Sequence, residues 1–159
     1  MPIAYVKNSN IQYEQFYGEE KNKAGNNENL RSKHVLFIHG IGSSSAAWRE
    51  IPEALTKIVT SKNEHFHTIS LDLIGFGKSD KPLTANYTIK GYSEFIMDFL
   101  SEEEIGIGDE KITIVGHSLG GYIAAEVAIR NKERIENLVL IDSSGTLRQP
   151  TPLLSQYLK

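Results

Sequence analysis

The run Gly116-His117-Ser118-Leu119-Gly120 places a serine between two glycines, directly after the apolar stretch Ile112-Thr113-Ile114-Val115 and directly before LGGYIAAEVAIR. Strand, tight turn and helix form the setting in which G-x-S-x-G carries chemistry. The turn forces the serine into a strained backbone conformation, and Gly116 and Gly120 leave room because neither has a Cβ. The Ser118 hydroxyl is then expected to stand free at the carboxyl end of its strand, as a nucleophile for a carbonyl. Attack turns that carbonyl into an oxyanion, which two backbone N–H groups stabilise by about 3 kcal/mol each. Leu119, just after the nucleophile, supplies one. The loop after the stretch ending at Ile38 supplies the other, which makes the amide of Ile41 the candidate, with Gly40 and Gly42 allowing close approach and His39 orienting the loop.

These residues need a scaffold, and the apolar runs describe one. Val35 to Ile38, Thr68 to Leu71, Ile112 to Val115 and Leu138 to Ile141 are continuous, without alternation, as expected of parallel strands covered on both faces. Helices are expected over Ser45 to Val59, Ile89 to Glu103 and Leu119 to Asn131, with Ser45 and Thr88 as caps. Two segments near the start, Ile3 to Lys7 and Asn10 to Tyr17, flank Asn-Ser-Asn and predict a hairpin. Gly18 to Lys33 is polar and is expected to be a surface loop. The fold class is therefore α/β: a mostly parallel sheet of about six strands with flanking helices. Open sheets of this kind gather their chemistry at the carboxyl ends of the strands. His39-Gly40-Ile41-Gly42, Asp72 to Asp80, Ser118 and Asp142-Ser143-Ser144-Gly145 all fall there.

The 159 residues suit a single domain, and 40% hydrophobic with 23% charged residues is ordinary for a globular chain. A formal charge of -3 gives no footprint for nucleic acid or an anionic membrane, so a small neutral or weakly polar partner fits better. Without cysteine there is no disulfide, thiolate nucleophile or Cys-based metal site. The first twenty residues lack the basic start and apolar core of a signal peptide, and no stretch approaches membrane-spanning length, so a cytoplasmic location is expected.

Four segments together resemble the α/β-hydrolase superfamily: His39-Gly40-Ile41-Gly42, Asp72-Leu73-Ile74-Gly75-Phe76-Gly77-Lys78-Ser79, Gly116-His117-Ser118-Leu119-Gly120-Gly121 and Leu138-Val139-Leu140-Ile141-Asp142. Their order and separation resemble the N-terminal half of its esterase, lactonase and carbon–carbon hydrolase branch. The resemblance implies hydrolysis of a carboxylic ester or lactone, with no cofactor and no metal. A serine at position 118 sets the chain apart from the epoxide hydrolases and haloalkane dehalogenases, which usually carry aspartate there. An acyltransferase on the same scaffold shares these residues.

The family order is serine, acid, histidine, and a serine needs that histidine to take its proton. The five histidines, His34, His39, His65, His67 and His117, all precede Ser118. His117 is expected to point away through the elbow, His39 belongs to the oxyanion loop, and His34, His65 and His67 fall at strand starts on the opposite rim. The pair His65 and His67 is read as plain surface residues rather than as a metal site. Some family members carry the acid after the strand that here ends at Ile141, which nominates Asp142. A carboxylate holding the following turn through Ser143 and Ser144 is the competing reading.

By the same resemblance, residues 1–159 form one partial core domain, 146–159 begin a lid, with a helix starting near Pro152, and the last strands are missing. A truncated gene or a fragment is the expectation, the alternative function being an inactive remnant or binding module. The last strand is then an unprotected apolar edge, and self-association through it is expected. Asp72 is expected to hold the Gly75–Gly77 turn, and Trp48 to be core.

Overall fold

In a computed structural model, residues 2–18, 31–62 and 64–145 are described. They form one six-stranded sheet in the order β1-β2-β4-β3-β5-β6. The strands are β1 (Ile3–Val6), β2 (Ser9–Tyr17), β3 (Arg31–Ile38), β4 (Glu64–Leu71), β5 (Ile112–His117) and β6 (Ile135–Ile141). β1 and β2 make the antiparallel hairpin, turning through Lys7 and Asn8, both at positive φ (47° and 63°). β2 pairs antiparallel with β4, and β4, β3, β5 and β6 run parallel. β3, β4 and β6 extend N-terminally beyond the apolar runs and β5 extends C-terminally to His117, because pairing depends on backbone groups and not on side-chain polarity. The expected lid and its helix at 146–159, and most of the expected loop at 18–33, lie outside the described residues.

Helices α1 (Ile51–Thr56), α2 (Ile89–Ser101) and α3 (Leu119–Arg130) supply the crossovers. The continuous helix expected over Ser45 to Val59 is instead two pieces. A 3₁₀ turn, Ser45–Trp48, ends where Arg49 enters positive φ (50°), and α1 begins afresh with Pro52 in its first turn. Proline lacks the N–H that a helix interior uses, so it starts a helix but does not continue one. The N-cap is Ser44, without a side-chain bond, so the expected cap at Ser45 is not formed. Thr88 does cap α2, accepting from the Gly91 amide at 3.0 Å. α2 stops at Ser101 and a 3₁₀ turn, Glu103–Ile105, follows it.

The main core lies between the sheet and α2 and α3, with Leu36, Ile38, Ile69, Leu71, Ile114, Phe99 and Ile123 fully buried. The other face carries a smaller cluster of Val35, Phe37, Trp48 and Val115. Trp48 is thus core, its ring 5.1 Å from Phe37. β6 forms the far edge of the described sheet, and Leu138, Val139, Leu140 and Ile141 are each about 40% exposed.

Candidate active site

The carboxyl ends of β3, β4, β5 and β6 form one rim, and Ser118 stands at its centre between β5 and α3. Its backbone has φ 52° and ψ −117°, a region that side chains with a Cβ rarely adopt. Three contacts hold it there. The Ser118 amide donates to the Ile141 carbonyl (3.1 Å), and its carbonyl accepts from the amides of Ser144 (3.0 Å) and Gly121 (3.1 Å). The glycines fit for a steric reason: a Cβ on Gly116 would run into the Gly120 carbonyl, and one on Gly120 into the Ile38 carbonyl. The chain therefore turns against the ends of β3 and β5 with no space left over.

Gly40 packs beside this turn, where a Cβ would come within 3.1 Å of Ser118 Cβ and 3.0 Å of His117 Nδ1. The exposed His117 ring thus lies against the Gly40 loop, and no hydrogen bond joins it to Ser118. Ser43 donates to the Gly40 carbonyl (3.3 Å), so Ile41 and Gly42 form the tip of a turn, with Gly42 at φ 68°. Among the described residues, no protein acceptor takes the amides of Ile41 or Leu119.

His39 is fully buried beneath the loop. Its Nδ1–H donates to the Gly40 carbonyl (2.7 Å) and its Nε2 accepts from the Leu73 amide (3.0 Å), which fixes one neutral tautomer. Burial pushes its pKa below the ordinary value, in keeping with an imidazole that orients backbone and does not titrate in use. Asp72, 2% exposed, is the second brace. One carboxylate oxygen accepts from the Ser45 amide (2.7 Å), the other from the Lys78 amide (2.7 Å), and its carbonyl accepts from the Ser79 hydroxyl (2.6 Å). It holds the turn through Gly77, as expected, and also ties that turn to the segment after β3.

Ser118 Oγ lies 3.4 Å from Ser144 Oγ, and among the described residues no histidine or carboxylate bonds to it. Ser144 was not legible in the sequence: its only signal is its place just after β6. Asp142 is exposed and sits at φ 43°. Its carboxylate has no hydrogen bond among the described residues. The competing role, holding the turn through Ser143 and Ser144, is therefore not formed; Ser143 Oγ donates instead to the Ser144 carbonyl (3.0 Å). Two surface cavities, of about 290 and 310 Å³, lie against α2 and are lined by residues such as Ile74, Phe95, Ser93 and Met97. Neither includes Ser118, whose rim is open. Among the described residues, no group of three or more His, Asp or Glu is placed to hold a metal ion, and no helix is long and apolar enough to cross a membrane.

The fold that carries this rim has counterparts in known proteins. A family model described as the alpha/beta hydrolase fold matches residues 33–157. The chain belongs to that family. It is 33% identical over 111 residues to a 2-hydroxymuconate semialdehyde hydrolase of Pseudomonas sp. (strain CF600), covering 70% of this chain and 36% of that protein. Lipase 3 of Moraxella sp. (strain TA144) is 29% identical, covering 75% of this chain and 34% of that one. Among solved structures, a meta-cleavage product hydrolase from Pseudomonas fluorescens IP01 superposes with a TM-score of 0.73 at 26% identity, over 96% of this chain and 48% of that one. The chain thus spans about a third of the length of these curated relatives.

Proposed function

We propose that the protein hydrolyses carboxylic ester or lactone bonds through an acyl-enzyme at Ser118. The observation that carries this reading is the Ser118 backbone. A non-glycine residue at φ 52° costs about 1–3 kcal/mol and persists only where its surroundings over-determine it. Here the hydrogen bond to the Ile141 carbonyl and those from the Ser144 and Gly121 amides do so, and what they achieve is a hydroxyl held at the rim.

In this reading Ser118 Oγ attacks the substrate carbonyl carbon and its proton passes to a base. The amides of Leu119 and Ile41 donate to the developing oxyanion, and their lack of protein acceptors leaves them available. His39, locked in its neutral tautomer, keeps the Gly40–Gly42 loop in place for that role. The tetrahedral intermediate expels the alcohol, which takes up the proton held by the base, and a water deprotonated by the same base then attacks the acyl carbon and releases the acid, Ser118 regaining its proton. Asp142 is the candidate acid, on the strength of its free carboxylate at the same rim. No histidine follows Ser118 in the sequence. Among the described residues no histidine or carboxylate bonds Ser118 Oγ, so none is in place as the base of this reading.

That same observation favours a second reading for the chain taken alone: a fold that keeps the nucleophile's place and binds without turnover. A fluorophosphonate probe separates the two, because it modifies an activated serine. Labelling of the 159-residue chain that vanishes in Ser118→Ala supports the acyl-enzyme. A folded chain that takes no label supports the binding module.

A further inference from the structure

We infer that Gln15, His67, His34 and Glu110 form a one-way hydrogen-bond relay that clasps β2, β4, β3 and the segment before β5, and that one added proton breaks it at the Gln15–His67 joint. The relay lies at the amino ends of the parallel strands, on the rim opposite Ser118. The pairing registers place it there: His67 stands opposite Tyr17 of β2 on one side and opposite His34 of β3 on the other. The expectation that His67 is a plain surface residue is wrong. His67 is 1% and His34 5% exposed, because β2 and the segment around Ile105 close over the strand starts.

Three contacts join the four side chains. Gln15 Nε2 lies 2.8 Å from His67 Nε2, His67 Nδ1 lies 2.8 Å from His34 Nδ1, and His34 Nε2 lies 3.0 Å from Glu110 Oε2. Gln15 Nε2 also donates to the Ile105 carbonyl (3.0 Å), which only accepts, and contacts the Tyr17 hydroxyl, so the atom facing His67 is the amide nitrogen, its two hydrogens shared among three neighbours. His67 Nε2 must then accept, and a neutral ring carries its hydrogen on Nδ1. That N–H donates to His34 Nδ1, which is bare, so His34 carries its hydrogen on Nε2 and donates it to the Glu110 carboxylate. Every donor has an acceptor, and all point one way.

An extra proton finds the acceptor nitrogen of each imidazole already engaged. It binds His67 Nε2, the Nδ1 hydrogen of His67 passes to His34 Nδ1, and the charge rests on His34 against the Glu110 carboxylate. His67 ends neutral, with its hydrogen now facing the Gln15 amide hydrogens. The amide must turn over to accept it, and in turning gives up the Ile105 carbonyl. The surrounding groups support this placement of charge. Around His67 stand the Tyr17 ring, stacked at 4.3 Å, with His34 and, on its own strand, His65. None is an anion, and Glu110 reaches only His34. Nearby, Lys33 of β3 is paired with Glu64 and Glu136. Burial and the two other imidazoles push His67 down to about 4.

Long-range proton–nitrogen NMR of the full chain tests the relay without reference to catalysis. At pH 7.5 His67 is expected as the Nδ1–H tautomer and His34 as Nε2–H. On acidification the relay takes up one proton and His67 changes tautomer. A His67 that keeps its tautomer through acidification, or His67 as Nε2–H at pH 7.5, overturns the proposal. Glu110 is 66% exposed, so Glu110→Gln keeps the fold; it is expected to lower the pH at which His67 changes tautomer. An unmoved midpoint overturns the proposal. His67→Asn keeps a donor toward His34 Nδ1 and cannot titrate, and flattens the loss of stability between pH 7 and 5; if it fails to fold, the wild-type spectra decide alone.

Discussion

The two rims of the parallel sheet solve opposite problems with the same residue types. At the carboxyl rim His39 and Asp72 bond to backbone amides and carbonyls, and among the described residues the Ser118 hydroxyl has only the Ser144 hydroxyl as a partner. At the amino rim His34 and His67 bond to each other and to further side chains, and both rings are buried. A histidine braced by backbone has one tautomer imposed on it from outside. A histidine braced by another histidine has a tautomer that depends on its partner, and a single proton added to the pair reverses it. The first arrangement suits a site that must hold still, the second a clasp that responds to pH.

The largest effect should come from filling the space on which the carboxyl rim depends. Gly120→Val places a branched side chain against the Ile38 carbonyl and is expected to leave no folded protein, read as loss of the near-ultraviolet circular dichroism signal. Next is Asp72→Ala, which orphans the Ser45 and Lys78 amides together. Each bond to a charged group is worth about 1.5–3 kcal/mol, so a loss of about 3–5 kcal/mol in urea unfolding is expected. A loss under 1 kcal/mol would mean that the rim is not braced through its backbone.

Acid is a gentler probe and acts on both rims in the same direction. Folded-state pKa values of His39 and His67 are both lowered by burial, so the unfolded chain binds more protons below the ordinary histidine value. Stability is therefore full above about pH 6.5 and is lost as pH falls toward about 4, the value of His67. The His67 contribution is about 3 kcal/mol at most. Urea midpoints measured at several pH values should fall over that window, and a flat profile would show that neither imidazole is held neutral.

The carboxyl rim was largely legible in the sequence, and the amino rim was not. Ser118, Gly116, Gly120, Gly40 and His39 lie within short segments whose glycine spacing reports backbone geometry, and Asp72 stands next to the glycines it holds. The strands could be read because covered parallel strands are continuously apolar. His34, His67, Gln15 and Glu110 are far apart in sequence and meet only through strand register, which no local pattern encodes. The break between Ser45–Trp48 and α1 was hidden differently. Apolar spacing runs through it, and Pro52, at the start of α1, is also what a helix start looks like. Ser144 meets Ser118 only because β6 lies beside β5.

β6 offers a further contrast, since its four exposed apolar residues, Leu138 to Ile141, lie along the far edge of the described sheet. We propose that they pair with a second copy of the chain. Leu140→Lys sets a charge on that edge and is expected to shift a concentration-dependent dimer toward monomer in size-exclusion chromatography. A wild-type chain that elutes as monomer at every concentration rejects the pairing.

The smallest effect expected is at Ser144, and it bears most directly on the comparison. Its amide, which Ser144→Ala leaves in place, makes the shorter contact, 3.0 Å to the Ser118 carbonyl, while its hydroxyl reaches Ser118 Oγ only at 3.4 Å. A long, exposed bond between neutral hydroxyls contributes little, so stability should change by less than about 0.5 kcal/mol. The hydroxyl is nevertheless the nearest partner Ser118 has. If the Ser118 turn is held by its backbone hydrogen bonds, the elbow keeps its φ of 52° in a crystal structure of Ser144→Ala, and only the Ser118 side chain gains freedom to change rotamer. If φ relaxes to negative values, side chains brace this rim as they do the other, and the distinction between the two falls.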